Sequence, residues 1–279
     1  HIFICATGII IRIIAPLIVS KLSDPAVVAI DDKGEFVISL LSGHIGGANE
    51  LAKDVSKITG GKPVITTATD KNKKPAIDLV AKDLGLVIET PENIKHINMA
   101  FLEGRTISIA DESQVLSGSI PQDFFKQAVL EEKKPDLFCS YRTAHVPRET
   151  LILRPKILCA GIGCNRGTSK KEIIKFLIKT FAQAKLSLHS IKTIATSDVK
   201  KDEQGLTSMA EELNLDISYY NKEELNSVEA VENPSAMARK HLGLNSVSEA
   251  AAILASGHGR LILPKTKNKD VTLAVAVMK

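Results

Sequence analysis

Along the first hundred residues, short apolar runs alternate with stretches in which apolar side chains recur every three or four positions. The first pattern suits strands, and the second gathers apolar groups on one face of a helix. His1-Ile2-Phe3-Ile4-Cys5-Ala6-Thr7 is a β-favouring run ended by Gly8, after which Ile10, Ile13, Ile14 and Leu17 share a helical face. The runs 25–30 and 35–40 flank Asp31-Asp32-Lys33-Gly34, a hairpin-turn signal. Ala48, Leu51, Ala52, Val55 and Ile58 predict an amphipathic helix stopped by Gly60-Gly61. Residues 63–67 read as a strand, and Ile77, Val80, Ala81 and Leu84 as a helix closed by Gly85. Strands at 86–88 and 106–109 then enclose a helix near 92–103.

The pattern changes between residues 111 and 154. Pro121, Pro135 and Pro147 interrupt it, and charges cluster at Glu131-Glu132-Lys133-Lys134. This stretch reads as a short connecting region with one or two short helices and some extended pieces. From Lys156 a second alternation begins, with strands at 157–161, 191–196, 217–220, 260–263 and 271–277. Ile173, Phe176, Leu177 and Phe181 line a long helix, and the alanines of a helix at 247–255 predict close packing. No internal repeat is present. The expected fold is α/β in two lobes, 1–110 and 155–279, each a largely parallel or mixed sheet flanked by helices, joined by the middle region 111–154.

Composition narrows the function classes. A hydrophobic fraction of 44% in 279 residues supplies real cores and argues against disorder. Aromatics at 4%, no tryptophan and a diffuse net charge of +4 argue against nucleic acid, and the charge suits a polyanionic small molecule as well as mere solubility. Cys5, Cys139, Cys159 and Cys164 form no C-x-x-C pair or zinc spacing, so no metal site is expected and a reduced, cytoplasmic setting is. The apolar stretch 9–19 is broken by Arg12 and Pro16 and is too short to span a bilayer. No signal peptide is expected; the chain opens at His1 inside a strand, and an N-terminally shortened chain is expected.

Three strand–helix turns carry candidate chemistry. In Gly43-His44-Ile45-Gly46-Gly47-Ala48-Asn49-Glu50, glycines let backbone N–H groups approach a ligand, and His44 beside a helix start could hold a proton. The same residues also suit a plain tight turn, with Glu50 complementing the helix dipole. Thr66-Thr67-Ala68-Thr69-Asp70 ends a strand where α/β ligands gather, or it caps the next helix. Gly161-Ile162-Gly163-Cys164-Asn165-Arg166-Gly167-Thr168-Ser169 is one residue off a dinucleotide fingerprint. With Arg166 and a capping box from Ser169 and Glu172 it forms an anion cradle, or an ordinary turn bearing a surface cation. Cys164 lies beside Arg166 and a helix start, conditions that lower a thiol pKa, although buried structural cysteines are common. Arg12 is either an anion contact or a snorkelling side chain.

Taken in order, these segments resemble the CbiG family of cobalamin biosynthesis, the cobalt-precorrin lactone hydrolases. The matching pieces are Ala6-Thr7-Gly8-Ile9-Ile10-Ile11-Arg12 with Ala15-Pro16-Leu17, Asp24-Pro25-Ala26-Val27-Val28, and 40–52. Residues 63–70, 161–169, 246–252 and Leu263-Pro264-Lys265 continue the match across nearly the whole chain. Two departures are the strand–helix stretch the family usually carries before the position of His1, and a short middle region.

The resemblance implies opening of the δ-lactone of cobalt-precorrin-5A with release of acetaldehyde. Hydrolysis needs a base for water, donors for the tetrahedral oxyanion and an acid for the departing oxygen. On that basis His44 or Glu50 is the expected base, and the amides of Gly46 and Gly47 the oxyanion donors. Arg12, Arg166 and the helix start at Ser169 would clamp substrate carboxylates, with Asn49, Thr67, Asp70, Gly163 and Thr168 as further substrate contacts. No cofactor is implied, because the substrate carries the cobalt. The substrate is expected in a groove between the lobes. A homodimer and other enzymes of the pathway are the partners to test for. A non-catalytic tetrapyrrole carrier and a nucleotide-binding α/β protein are the alternatives from other classes; the imperfect fingerprint counts against the second.

Overall fold

The computed structural model describes residues 1–20, 23–67, 74–128, 134–233 and 246–279. It divides into two compact units, one of residues 1–139 with 146–153, the other of 140–145 with 154–279. Both are α/β, as the alternation of apolar periods predicts.

The first unit holds two sheets. One has the order β1 (Ile2–Ile4), β2 (Val27–Ile30), β3 (Phe36–Leu41), β4 (Lys62–Val64). The β2–β3 pair is the predicted antiparallel hairpin, while β1–β2 and β3–β4 are parallel. All four residues of β2 are buried, because the strand is covered on both sides. Val28 and Ile30 pack on α2 (Ala48–Thr59) with Ala48, Ala52 and Val55. Val27 and Ala29 face the other way, onto Ile10 and Ile14 of α1 (Thr7–Ile14). The period of two along the strand decides which helix each residue meets.

The second sheet contains β5 (Val87–Ile88), β6 (Ile107–Asp111), β7 (Phe125–Gln127), β8 (Leu137–Cys139) and β9 (Leu151–Arg154) in the order β5-β9-β8-β6-β7. The pairs β6–β7, β6–β8 and β8–β9 are parallel. Helices α3 (Ile77–Asp83) and α4 (Ile94–Leu102) cover it, burying Ile77, Ala81, Ile94, Ile97 and Phe101 against Ile107, Ile109 and Leu137. Residues 111–154, which read as a connecting region in the sequence, thus supply most of a sheet. At the end of β9 the Arg154 guanidinium is 2% exposed and donates to the carbonyls of Ser140 at 2.8 Å and Arg142 at 2.6 Å.

The second unit is one mixed sheet, β12 (Asp216–Tyr220), β11 (Ile191–Ser197), β10 (Leu158–Cys164), β14 (Val271–Val277), β13 (Arg260–Lys267). The first three strands are parallel, and β14 is antiparallel to both its neighbours. Helices α5 (Lys170–Gln183) and α6 (Gln204–Glu212) bury Ile173, Leu177, Phe181, Leu206 and Met209 on one face. The opposite face takes α7 (Lys222–Asn226) and the alanine-rich α8 (Ser248–Ala255). The approach of α8 is so close that a Cβ on Gly161 of β10 would lie 1.9 Å from the Ser248 carbonyl oxygen. Among the described residues no helix is long and apolar enough to cross a membrane.

Candidate active site

The turn from β3 into α2 is wound by backbone bonds. The N–H of Gly47 donates to the His44 carbonyl at 2.9 Å, that of Ala48 to Ser42 at 3.1 Å, and that of Asn49 to Gly43 at 3.0 Å. Ser42 takes a left-handed φ of 56° and Gly47 one of 85°, so the chain reverses sharply at both ends of the turn. Gly46 is required by packing: a Cβ there would lie 2.3 Å from the Ser42 Cβ and 3.0 Å from the Asp24 carbonyl. The tightness of this turn swings the His44 ring across to α3.

There Nδ1 of His44 lies 3.2 Å from Oδ2 of Asp78, and the two side chains are only 12% and 8% exposed. The other carboxylate oxygen, Oδ1, accepts from Asn98 Nδ2 at 2.9 Å, and Asn98 Oδ1 accepts the N–H of Ile77 at 2.8 Å. Burial pushes the Asp78 carboxyl up, but the hydrogen bonds with His44 and Asn98, with the charge His44 carries when protonated, outweigh it and hold it below its ordinary value. Asp78 is therefore a carboxylate at neutral pH, a pure acceptor facing an imidazole.

This pair lies in the wall of an open groove of about 540 Å³, lined by Ser39 to Ile45, Asn49, Thr66, Thr67 and the α4 residues Ile94, Lys95, Asn98, Met99 and Leu102. Lys95 is an exposed cation along the edge, and Leu40, Leu41, Met99 and Leu102 give an apolar surface. The groove thus combines a hydrogen-bonded imidazole, hydroxyls, a cation and an apolar face, the materials for binding an acidic, largely apolar molecule and moving a proton on it.

Of the residues singled out in the sequence, His44, Asn49 and Thr67 meet in this groove. Asn49, 3% exposed, accepts from Ser39 Oγ at 2.7 Å and donates to Thr67 Oγ1 at 2.9 Å, so it braces the groove floor. Glu50 does not join them. It is exposed on α2 and pairs with Lys53 at 2.6 Å, because Ala48, Asn49 and Ala52 define the buried face and position 50 points away. The Gly47 N–H, expected as an oxyanion donor, is already held by the His44 carbonyl within the turn. Arg12 is likewise outside the groove lining, donating at 3.0 Å to Gly8 of its own helix. Asp70 lies outside the described residues.

The turn at 161–169 is filled from within. Gly163 is small because a Cβ would meet Thr272 Oγ1 at 2.6 Å. Arg166 is exposed and pairs with Asp202 at 2.8 Å, while the buried Glu203 carboxylate accepts the Gly167 N–H at 3.1 Å. Thr168 donates to the Asn165 carbonyl at 2.8 Å, and Ser169 forms the predicted capping box with Glu172. The donors expected to cradle an anion are thus met by acids of the same chain. Cys164 departs from the low-pKa setting its neighbours suggested: burial pushes the thiol up, beyond the opposing pull of Lys200.

Sequence reasoning missed Asp78 and Asn98. An acid in the first turn of a predicted helix reads as a dipole complement, and one asparagine among Ile94, Ile97 and Phe101 reads as surface. The available signal was position, since Asn98 lies four residues from Ile94 and so shares its inward face.

Three family models match the chain in order: "Cobalamin synthesis G N-terminal" over residues 1–70, "Cobalamin biosynthesis central region" over 75–155, and "Cobalamin synthesis G C-terminus" over 158–276. The cobalt-precorrin-5A hydrolase of Priestia megaterium is 39% identical over 292 aligned residues, covering 99% of this chain and 78% of that protein. The cobalt-precorrin-5A hydrolase of Salmonella typhimurium is 34% identical, covering 99% and 81%. A crystal structure of CobE, a protein from the cobalamin (vitamin B12) biosynthetic pathway, is 33% identical over 45% of this chain and 92% of its own, with a TM-score of 0.43.

Proposed function

Because the chain belongs to the CbiG family of cobalamin-synthesis proteins, we propose that it is a cobalt-precorrin-5A hydrolase, opening the δ-lactone of its substrate and releasing acetaldehyde. The observation that carries the chemical part of this reading is the His44–Asp78 contact in the wall of an open groove. His44 is the base: it takes a proton from the water that attacks the lactone carbonyl, and returns it to the departing ring oxygen. The freed alcohol then gives its proton to His44, neutral again after the first step, its carbon–oxygen bond becomes a carbonyl, and the adjacent carbon–carbon bond breaks. The electron pair of that bond passes to the macrocycle, which keeps it, and acetaldehyde leaves. The conjugated ring and the cobalt it carries serve as the electron sink, so the proposal asks for no cofactor bound by the protein.

An open groove of about 540 Å³ accepts one edge of such a ring, with Lys95 placed for a peripheral carboxylate. The reaction belongs to a soluble cytoplasmic pathway in this reading, and the homodimer expected from the sequence is a matter for light scattering.

The test is aldehyde release from cobalt-precorrin-5A by the full chain and by a His44→Gln variant whose circular dichroism matches the parent. Loss of a general base lowers kcat by about 10²–10⁴-fold. A parent protein that binds the corrinoid and releases no acetaldehyde sinks the hydrolase reading in favour of a carrier. A His44→Gln variant at the parental rate sinks the role of His44 alone.

A further inference from the structure

We infer that Asp78, itself held by Asn98, is a positioning residue that keeps the proton of His44 on Nδ1 and assigns proton exchange with substrate to Nε2. The inference rests on the reading of His44 as the base and goes beyond it, naming two residues that act through the ring.

An ionised carboxylate can only accept, so the 3.2 Å contact is a hydrogen bond only when Nδ1 carries the proton. The carboxylate in turn has little freedom to rotate, because its second oxygen accepts from Asn98 Nδ2 at 2.9 Å. Nor can the Asn98 amide flip without loss, because its oxygen accepts the N–H of Ile77 at 2.8 Å. A directional chain therefore runs from the backbone at the start of α3 through Asn98 and Asp78 to the imidazole. It resembles in logic the orienting acid of a nucleophile–histidine–carboxylate triad, where geometry and role define the part.

A second contact separates positioning from mere attachment. Lys82, also on α3, donates to the Ile45 carbonyl at 2.9 Å and so latches the same turn to the same helix without touching the ring. If Asp78 only held the turn down, removing Lys82 would have a comparable effect.

Replacing Asp78 by asparagine makes the prediction sharp. The Asn98 N–H claims the oxygen of the new amide, which turns its NH₂ toward His44. Nδ1 must then accept, and the proton moves to Nε2, the nitrogen required as the base. In the full-length Asp78→Asn protein, kcat for acetaldehyde release should fall about 100-fold or more, with KM within about threefold of the parent. Nitrogen NMR of histidine-labelled protein, with the His44→Gln spectrum as assignment, should show the His44 tautomer switching from Nδ1–H to Nε2–H without substrate. Lys82→Ala should keep kcat within about threefold. A double Asp78→Asn, Asn98→Leu variant frees the amide to turn over and should recover part of the lost rate.

An unchanged tautomer in Asp78→Asn overturns the inference, as does a loss in Lys82→Ala as large as in Asp78→Asn. The two readings fail separately: full activity of His44→Gln removes the base, whereas the tautomer of the His44 ring still reports whether Asp78 directs its proton.

Discussion

Gly161 offers a direct measure of what the glycines at 161–169 are for. A ligand-cradling glycine and a packing glycine both lack a Cβ, but they respond differently to alanine. At Gly161 the added carbon would lie 1.9 Å from the Ser248 carbonyl oxygen and 2.8 Å from the Ala252 nitrogen. Carbon–oxygen contact is comfortable from about 3.3 Å, so α8 must retreat by about 1.4 Å at this point. The helix meets the sheet through Ala250, Ala251 and Ala252, each with no exposed surface, and through Ile253. A gap of ~0.5–1 Å already forfeits a quarter to a half of the dispersion energy at such a contact. Gly161→Ala should therefore cost about 3 kcal/mol, the upper end of ordinary overpacking. With a urea slope of ~2 kcal/mol/M, the unfolding midpoint of the second unit falls by about 1.5 M at unchanged slope. Gly167→Ala is the companion: at φ 74° with nothing within 4 Å, it should cost only about 1–2 kcal/mol of left-handed strain. A Gly161→Ala protein within about 0.5 kcal/mol of the parent would refute the packing argument and return Gly161 to the ligand.

Three further outcomes follow from the same geometry. Asn49→Ala removes the acceptor of Ser39 Oγ and the donor to Thr67, and should cost about 2 kcal/mol in urea unfolding; a change below ~0.5 kcal/mol would mean that Asn49 does not brace the groove. Burial pushes the Cys159 thiol up to about 11, so at about pH 8 only about one in a thousand is thiolate; iodoacetamide labelling of the folded protein that modifies Cys159 as fast as a free thiol contradicts its placement. The Asp78 carboxyl is held below its ordinary value of 3.8 in the folded state, so the stability it contributes is present above that value and is lost as pH falls through the depressed one. Urea midpoints taken from about pH 6 to about pH 3 should therefore drop more steeply for the parent than for Asp78→Asn, and parallel curves would show that the carboxylate is unlinked to folding.

Legibility in the sequence followed distance along the chain. The β2–β3 hairpin and α2 were readable because each signal, a turn tetrapeptide or five apolar residues on one face, lies within a dozen positions. Strands β7 and β8 were not, since three residues each are too few to show a period of two, and Pro121 and Pro135 beside them read as breaks. The first turn of α2 held more information than its acidic residue suggested. Asn49 and Glu50 are one position apart and so about 100° apart on the helix, and the periodicity of Ala48, Ala52 and Val55 already turns the first inward and the second outward. What no local pattern could supply was partnership. His44 stood out as an imidazole in a glycine-rich turn, yet the side chains that hold it are an acid 34 positions later and an amide 20 beyond that. Likewise the anion cradle at 165–169 looked vacant in sequence because Glu203, which fills it, is 36 positions downstream of Gly167. In both units the same elements, a glycine turn and a helix start, are present, and the acid that meets them decides their use. In the first it faces an imidazole in an open groove, and in the second it neutralises the backbone donors from inside. That difference leaves the His44–Asp78 pair facing an open groove, whereas the turn at 161–169 is closed by its own chain and packs β10 against α8.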